Sequence, residues 1–143
     1  MRLGARLALI LLFVPLMASA QFKDLDAAMS SLSKGFGGGD AQAIVAGVAE
    51  GDQVQLQFPG LVSQSGFFGR DQASYLLDGL FAKVNARGFQ QLNTRKDSTK
   101  GQYEIVASWT IQPGGHAEVR DLYITLRSKN DRWILLSVRS ASK

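Results

Sequence analysis

Apolar residues recur along this chain with two different periods, and the change of period marks where helices give way to strands. Between Phe22 and Phe36 they return every three or four positions, which predicts an amphipathic helix that ends in the glycines at 35–39. Asp40 precedes a second apolar group and is a typical N-cap residue. We therefore predict a second, short helix after Asp40, closed by Gly51.

A third helix is predicted from Arg70 to Ala86, and Gly88 is a suitable stop for it. The prediction rests on a single stripe of apolar positions at helical spacing. The stripe consists of Leu76, Leu77, Leu80, Phe81 and Val84.

The strands are predicted from strict alternation of apolar and polar residues. Val54, Leu56 and Phe58 alternate with glutamines, which indicates a short strand with one wet face, and a loop is predicted over 61–69. From Gly88 onward the alternation continues, interrupted by polar turns and by a proline–glycine–glycine turn. Antiparallel strands are predicted over residues 89–96, 102–112, 117–127 and 133–139.

The lengths of these strands predict the shape of the sheet. Two of them run to about eleven residues, against a usual length of about five or six. Long strands in a small sheet accumulate twist and coil, so the early helices can lie against the hollow side. The predicted fold is α+β, with three N-terminal helices packed on a curved antiparallel sheet.

The first twenty residues have the pattern of a secretory leader. Arg2 and Arg6 form a basic start, residues 7–17 are almost all apolar, and Ala18-Ser19-Ala20 offers small residues at the cleavage positions. The apolar run is shorter than the roughly 20 residues that a membrane-spanning helix needs. We predict a signal peptide at 1–20, a single domain at 21–143, and an exported protein, periplasmic or secreted, with no membrane association after cleavage.

Composition excludes several functions. The net charge is +4, and removal of Arg2 and Arg6 with the leader leaves +2, spread among interspersed acids and bases. Such a charge argues against a nucleic-acid partner. The chain contains no cysteine, which excludes a thiol nucleophile, a thiolate metal site and a lipidated cysteine. With a single histidine, His116, and no acidic metal-binding loop, we predict no metal and no cofactor.

The order of elements resembles the nuclear transport factor 2-like (cystatin-like) superfamily over nearly all of residues 21–143. Three local features support the resemblance: Phe58-Pro59-Gly60 at the end of the short strand, Gly69-Arg70-Asp71-Gln72-Ala73 at the start of the third helix, and the hairpin from Leu126 to Ile134. Within the superfamily the chain is most similar to exported bacterial domains of unknown function, the DUF4783 family. The resemblance implies a cone-shaped fold and no assigned activity.

The superfamily includes enzymes such as ketosteroid isomerase and the polyketide cyclases, so its fold does not settle function. The resemblance to ketosteroid isomerase implies a general base directly before the proline that ends the first strand. Here that residue is Phe58, and a phenyl ring cannot carry a proton. This departure argues against isomerase-like catalysis.

The remaining acid–base candidates are Asp121 with Tyr123, which share one face of a strand, and His116, which we interpret as a solvated turn residue. If that face looks into the hollow, apolar walls would raise the proton affinity of Asp121 and permit proton transfer. Under the alternative, Leu122, Ile124 and Leu126 face the helices and Asp121 lies in water. The apolar residues favour this alternative. Arg95, Lys96 and Lys100 are interpreted as a solvated edge that discourages strand addition.

The predicted function is therefore binding without catalysis. An exported domain would hold a small apolar ligand or a partner protein in the hollow or on the face of its sheet. The residues predicted to line the hollow are Met29, Phe58, Leu80, Tyr103, Ile105, Trp109, Leu122, Ile124 and Trp133. Two alternatives stay open: proton-transfer catalysis in the cone, and a structural homodimer. The prediction requires an interior without a deeply buried ionised pair.

Overall fold

A computed structural model describes residues 22–141, and the predicted leader lies outside them. The first helix, α1, spans Leu25–Gly38 and begins where an oxygen of the Asp24 carboxylate accepts a hydrogen bond from the backbone N–H of Ala27, at 2.7 Å. It ends at Gly39, whose φ of 72° is the left-handed conformation that glycine adopts without strain. The predicted cap of the second helix is confirmed, because Asp40 accepts from Ala43 N–H at the start of α2, Ala41–Val45.

The third helix, α3, spans Arg70–Val84 and starts as predicted. It ends before Ala86, because Asn85 takes the left-handed conformation with a φ of 52°. Ala86 already pairs with Ile111 in the sheet. The chain therefore leaves the helix at Asn85 rather than at Gly88.

Six strands form one curved sheet, in the spatial order β2-β1-β6-β5-β4-β3. A short 3-10 turn over Pro113–Gly115 joins two of the long strands. The strands are β1 Gln53–Gln57, β2 Gly66–Gly69, β3 Ala86–Asp97, β4 Gln102–Ile111, β5 Glu118–Lys129 and β6 Arg132–Ser140.

The sheet differs from the prediction in two respects. Residues 66–69, predicted as loop, form the edge strand β2, because Val54 and Gln55 pair with Phe68 and Phe67. The sheet is also not purely antiparallel, since β1 runs parallel to β6. Strand β1 reaches the rest of the sheet through α3, and such a crossover permits a parallel pairing. Three helices do precede the long strands, but β1 and β2 lie between α2 and α3.

The core fills the space between the helices and the inner face of the sheet. The predicted inward face of β4 is confirmed, since Ile105, Ala107, Trp109 and Ile111 are all buried. The ring of Phe36 from α1 lies 5.6–6.4 Å from four other aromatic rings. Trp109 Nε1 donates a buried 2.8 Å hydrogen bond to the backbone oxygen of Phe36, so the indole N–H is satisfied.

The start of the domain is fastened to the last strand. Phe22 and Trp133 exchange two backbone hydrogen bonds of 2.9 Å, in an isolated antiparallel bridge. The buried Phe22 ring lies over Gly47, where an added Cβ would come within 2.3 Å of it. A side chain at position 47 would therefore require the Phe22 ring to shift.

Candidate functional site

The residues predicted to line a ligand pocket lie mostly within packed core. Their side chains contact one another and the helices, and Trp109 lies 6.1 Å from the ring of Phe58. Six of them are at most 2% exposed: Phe58, Leu80, Ile105, Trp109, Leu122 and Ile124. Met29, Tyr103 and Trp133 are half-buried and pack against the same cluster.

The segment that follows β1, residues 58–62, packs over the core, and we call it the mouth segment. Phe58 and Leu61 are buried there. Arg120 Nη1 donates to the backbone oxygen of Pro59 at 2.8 Å, and Lys83 Nζ donates to that of Leu61 at 3.0 Å. Arg120 and Lys83 thus hold this segment in place through its backbone carbonyls.

An ionised pair, Arg120 with Glu118, lies beside the mouth segment. Arg120 shares the inward side of β5 with Leu122, and its Nη2 lies 3.0 Å from Glu118 Oε1. The two side chains keep 10% and 21% of their surface exposed, so the pair borders the core without being sealed inside it. The Arg120 guanidinium contacts both the Glu118 carboxylate and the Pro59 carbonyl, an arrangement suited to holding the backbone in place.

The acid–base candidates lie outside the hollow. Asp121 is exposed and lies opposite Ser108 of β4 in the ladder. Leu122 and Ile124, which have the other parity in β5, face the core. Tyr123 is half-buried on the same outer face as Asp121, with the Arg139 guanidinium 4.4 Å from its ring centroid. His116 is exposed after the turn at Pro113–Gly115. This placement matches the alternative in which Asp121 lies in water.

No group of three or more histidine, aspartate or glutamate side chains within residues 22–141 is placed to hold a metal ion. None of the helices described there is both long and apolar enough to cross a bilayer.

A surface groove lies between the edge strand β2 and α3. We call it the β2–α3 groove. It has a volume of about 550 Å³ and continues into a second hollow of about 310 Å³ beside residues 61–63. Its lining residues are Gln64, Phe67, Phe68, Asp71, Gln72, Tyr75 and Leu76.

Two strongly exposed aromatic side chains border this groove. Phe67 is 64% exposed and Tyr75 is 83% exposed, more than the other exposed large apolar residues of the described chain, Leu92 and Val119. Phe68 lies opposite the buried Val54 and turns inward, so Phe67, opposite Gln55, turns outward. Tyr75 directly precedes the buried Leu76 and lies on the solvent-exposed face of α3.

Sequence reasoning missed this groove because residues 61–69 were predicted to be loop. One signal was present: Phe67 and Phe68 are adjacent aromatics within an otherwise small and polar stretch. Tyr75 gave a second, weaker signal, as an aromatic residue off the helical stripe. Neither signal shows that the two elements meet in space.

The order of six strands, with three helices against one face of a curved sheet, can be compared with solved structures. A DUF4783 family protein from Bacteroides uniformis superposes with a TM-score of 0.65 at 12% identity, covering 80% of this chain and 95% of that one. The chain has the nuclear transport factor 2-like fold. The predicted resemblance to this superfamily and to DUF4783 structures is thereby confirmed as a likeness of fold.

Two other structures with this fold agree. A nuclear transport factor 2-like protein of unknown function from Shewanella oneidensis gives a TM-score of 0.62 at 14% identity, over 82% of this chain and 96% of that one. A hypothetical ketosteroid isomerase-like protein from Catenulispora acidiphila, in complex with trimethylamine, gives 0.61 at 13% identity, over 81% and 85%. Neither a protein-family model nor a curated protein matches the sequence. Identities this low show the nuclear transport factor 2-like fold and not an activity.

Proposed function

We propose that this domain is an exported binding module without catalytic activity, and that the β2–α3 groove is where it takes an apolar group of its ligand or partner. One observation carries the proposal: Phe67 and Tyr75, the most exposed large apolar side chains of the described residues, border the same groove. Exposed apolar patches of this kind mark interaction sites in soluble proteins.

The hollow of the cone is a less suitable site than the groove. A ligand there would have to displace buried side chains such as Phe58 and Leu61, and the segment carrying them is held by Arg120 and Lys83. Losing the packing of one buried aromatic ring costs about 3–5 kcal/mol. The surface groove requires no such displacement.

The groove can be tested with Nile red, a neutral dye that fluoresces in apolar surroundings. The variants Phe67→Ser and Tyr75→Ser should each weaken dye binding by about tenfold, which corresponds to ~1.4 kcal/mol. Leu92→Ser and Val119→Ser are matched controls, because they remove exposed apolar side chains elsewhere. Equal loss in the controls, or unchanged binding in the groove variants, would remove the groove from consideration.

The catalytic alternative has its own test. If Asp121 transferred protons, Asp121→Asn would abolish turnover of an enolisable ketone while the fold remained intact. Because the side chain is exposed, we expect no turnover in the parent protein and no change in Nile red binding on substitution. Turnover by the parent that disappears in the variant would contradict the proposal.

The export component rests on the leader pattern alone. We expect the protein recovered from outside the cytoplasm to begin at Gln21, which intact mass determination measures directly. A protein that retains Met1 and stays in the cytoplasm would contradict this component.

A further inference from the structure

We infer that the occupant of the β2–α3 groove is an extended peptide segment that adds to β2 as a further strand and carries basic residues beside apolar ones. The inference rests on the proposed function, since it names the partner of that same site. Its support comes from the backbone of β2, from the side chains that flank it and from the charge around it.

The backbone of β2 is available for pairing. It is the terminal strand in the sheet order, with β1 on one side and no described strand on the other. Alternate backbone groups of Gly66–Gly69 therefore face away from β1, and of these the N–H of Gly69 already donates to Gln72 Oε1 at 3.3 Å. The strand carries no charge and no proline, two of the devices that prevent an edge from accepting another strand, and its shortness limits any added pairing to about four residues. Two of its four residues are glycines without a side chain to shield the backbone.

The side chains around β2 suit a strand with apolar residues. A segment beside β2 would lie between Phe67 on the outer side of the sheet and Tyr75 with Leu76 on the helix side. Successive side chains of a strand point to opposite sides, so alternate residues would meet these two surfaces. Four residues of pairing span about 13 Å at roughly 3.3 Å per residue.

The charge at the groove selects the partner. Asp71 and Asp78 lie four residues before and three residues after Tyr75, and therefore on the same face of α3. A hollow at the end of β2 is bordered by Glu50, Asp52 and Asp71 with one cation, Arg70. Lys83, at the other end, donates to the backbone oxygen of Leu61.

This excess of carboxylates favours Lys or Arg on the partner, and a cation near the Tyr75 ring gains a further attraction. A second copy of this chain would bring the same carboxylates to the groove. Repulsion between like charges thus favours a basic peptide over self-pairing through β2.

The test uses the full mature chain and a synthetic eight-residue peptide with four alternating valines and phenylalanines in the centre and two lysines at each end. We expect binding with amide shift changes confined to residues 66–69 and the facing turns of α3. A peptide with glutamates in place of the lysines should bind at least about tenfold more weakly. Raising the salt from about 50 to about 500 mM should remove most of that difference, because salt screens exposed charges.

Two comparisons test the mode of binding. Methylation of alternate backbone nitrogens removes the hydrogen-bond donors from one edge of the peptide, so two methylated forms can be made, one for each edge. The form that is methylated on the edge facing β2 should bind about tenfold or more weakly. Asp71→Asn should weaken binding of the lysine peptide about threefold. Asp26→Asn is its matched control, because Asp26 occupies the first turn of α1 as Asp71 occupies that of α3.

The outcomes separate this inference from the proposed function. Equal binding of both methylated forms, equal binding of the glutamate peptide, or dimerisation through β2 without peptide would each overturn strand addition. If the peptides fail while Nile red still binds and is lost in Phe67→Ser and Tyr75→Ser, the groove stands and the peptide inference is wrong. If Nile red also fails to bind, the proposed function falls with it.

Discussion

The two edges of the sheet are built in opposite ways. Strand β3 is twelve residues long, pairs with β4 nearly throughout, and carries the exposed cations Arg95 and Lys96 just before its last residue, Asp97. It also shifts register between Gln91 and Asn93, a bulge of the kind that protects an edge. Strand β2 has four residues, no charge, and an outward phenylalanine beside an apolar groove.

The difference separates stability from recognition. Strand β3 is anchored to the core through the half-buried Phe89, which stacks on Phe36 of α1 at 6.2 Å. Strand β2 contributes one inward side chain, Phe68, and leaves Phe67 in water. An edge that carries charges resists further pairing, whereas an uncharged apolar edge without proline can accept a strand, over about four residues in the case of β2. The two most exposed large apolar side chains of the described residues, Phe67 and Tyr75, therefore lie on or beside the edge on which less stability depends.

The largest expected effect concerns the buried ring of α1 against which the packed edge lies. Phe36→Ala removes a fully buried ring that contacts Phe89 and Trp109, and should lower the free energy of unfolding by about 3–5 kcal/mol. Phe67→Ala removes the same ring from the open edge and should change it by less than about 0.5 kcal/mol. Urea unfolding followed by tryptophan fluorescence measures both. Similar losses in the two variants would break the comparison between the edges.

The inward and outward faces of the long strands β4 and β5 could be predicted from the sequence, because burial in a long strand follows the parity of its apolar residues. The alternation from Tyr103 to Ile111 identified the inward face of β4. The same parity argument favoured an outward Asp121, since Leu122 and Ile124 are apolar, and the structure places it outward. These are local signals, and local signals were sufficient there.

The open edge could not be predicted, because its structure depends on pairing between distant residues. Gly66–Gly69 is too short to show a period, and glycine at both ends is typical of a loop. Its strand geometry comes from pairing with β1, and the parallel course of β1 comes from its position beside β6. The groove needs both β2 and the wet side of α3, so no single stretch of sequence contains it.

An intermediate effect is expected where the mouth segment leads from β1 toward the open edge. Arg120→Met keeps much of the side-chain length but removes the hydrogen bond to Pro59 and the pair with Glu118. We expect a loss of about 1–3 kcal/mol, typical of a charged hydrogen bond that is largely buried. Arg139→Met, which removes an exposed guanidinium from the Tyr123 ring, is the control and should cost about 0.5–1 kcal/mol.

Thermal unfolding compares the two arginine variants, and amide exchange locates the change. Faster exchange in Arg120→Met should appear at Leu61 and Val62, whose N–H groups both donate to the backbone oxygen of Phe58. Exchange rates along β3 should remain as in the parent chain. An equal loss for the two variants, without faster exchange at residues 61–62, would show that Arg120 does not hold the mouth segment.

The smallest effect on stability is expected when the charges of the two edge strands are exchanged. This exchange is also the most direct test of the difference between the edges. Phe67→Lys gives β2 a charge of the kind that β3 carries, and Arg95→Thr with Lys96→Thr removes it from β3. Both variants should unfold within about 0.5 kcal/mol of the parent, since all three side chains are exposed. They should differ in strand pairing. The Phe67→Lys variant should no longer bind the lysine peptide. The Arg95→Thr, Lys96→Thr variant should self-associate at high concentration, because its long edge strand β3 has lost its charges. Sedimentation velocity measures the association. A monomeric second variant would mean that the bulge alone protects β3, and that the absence of charge on β2 does not account for its openness.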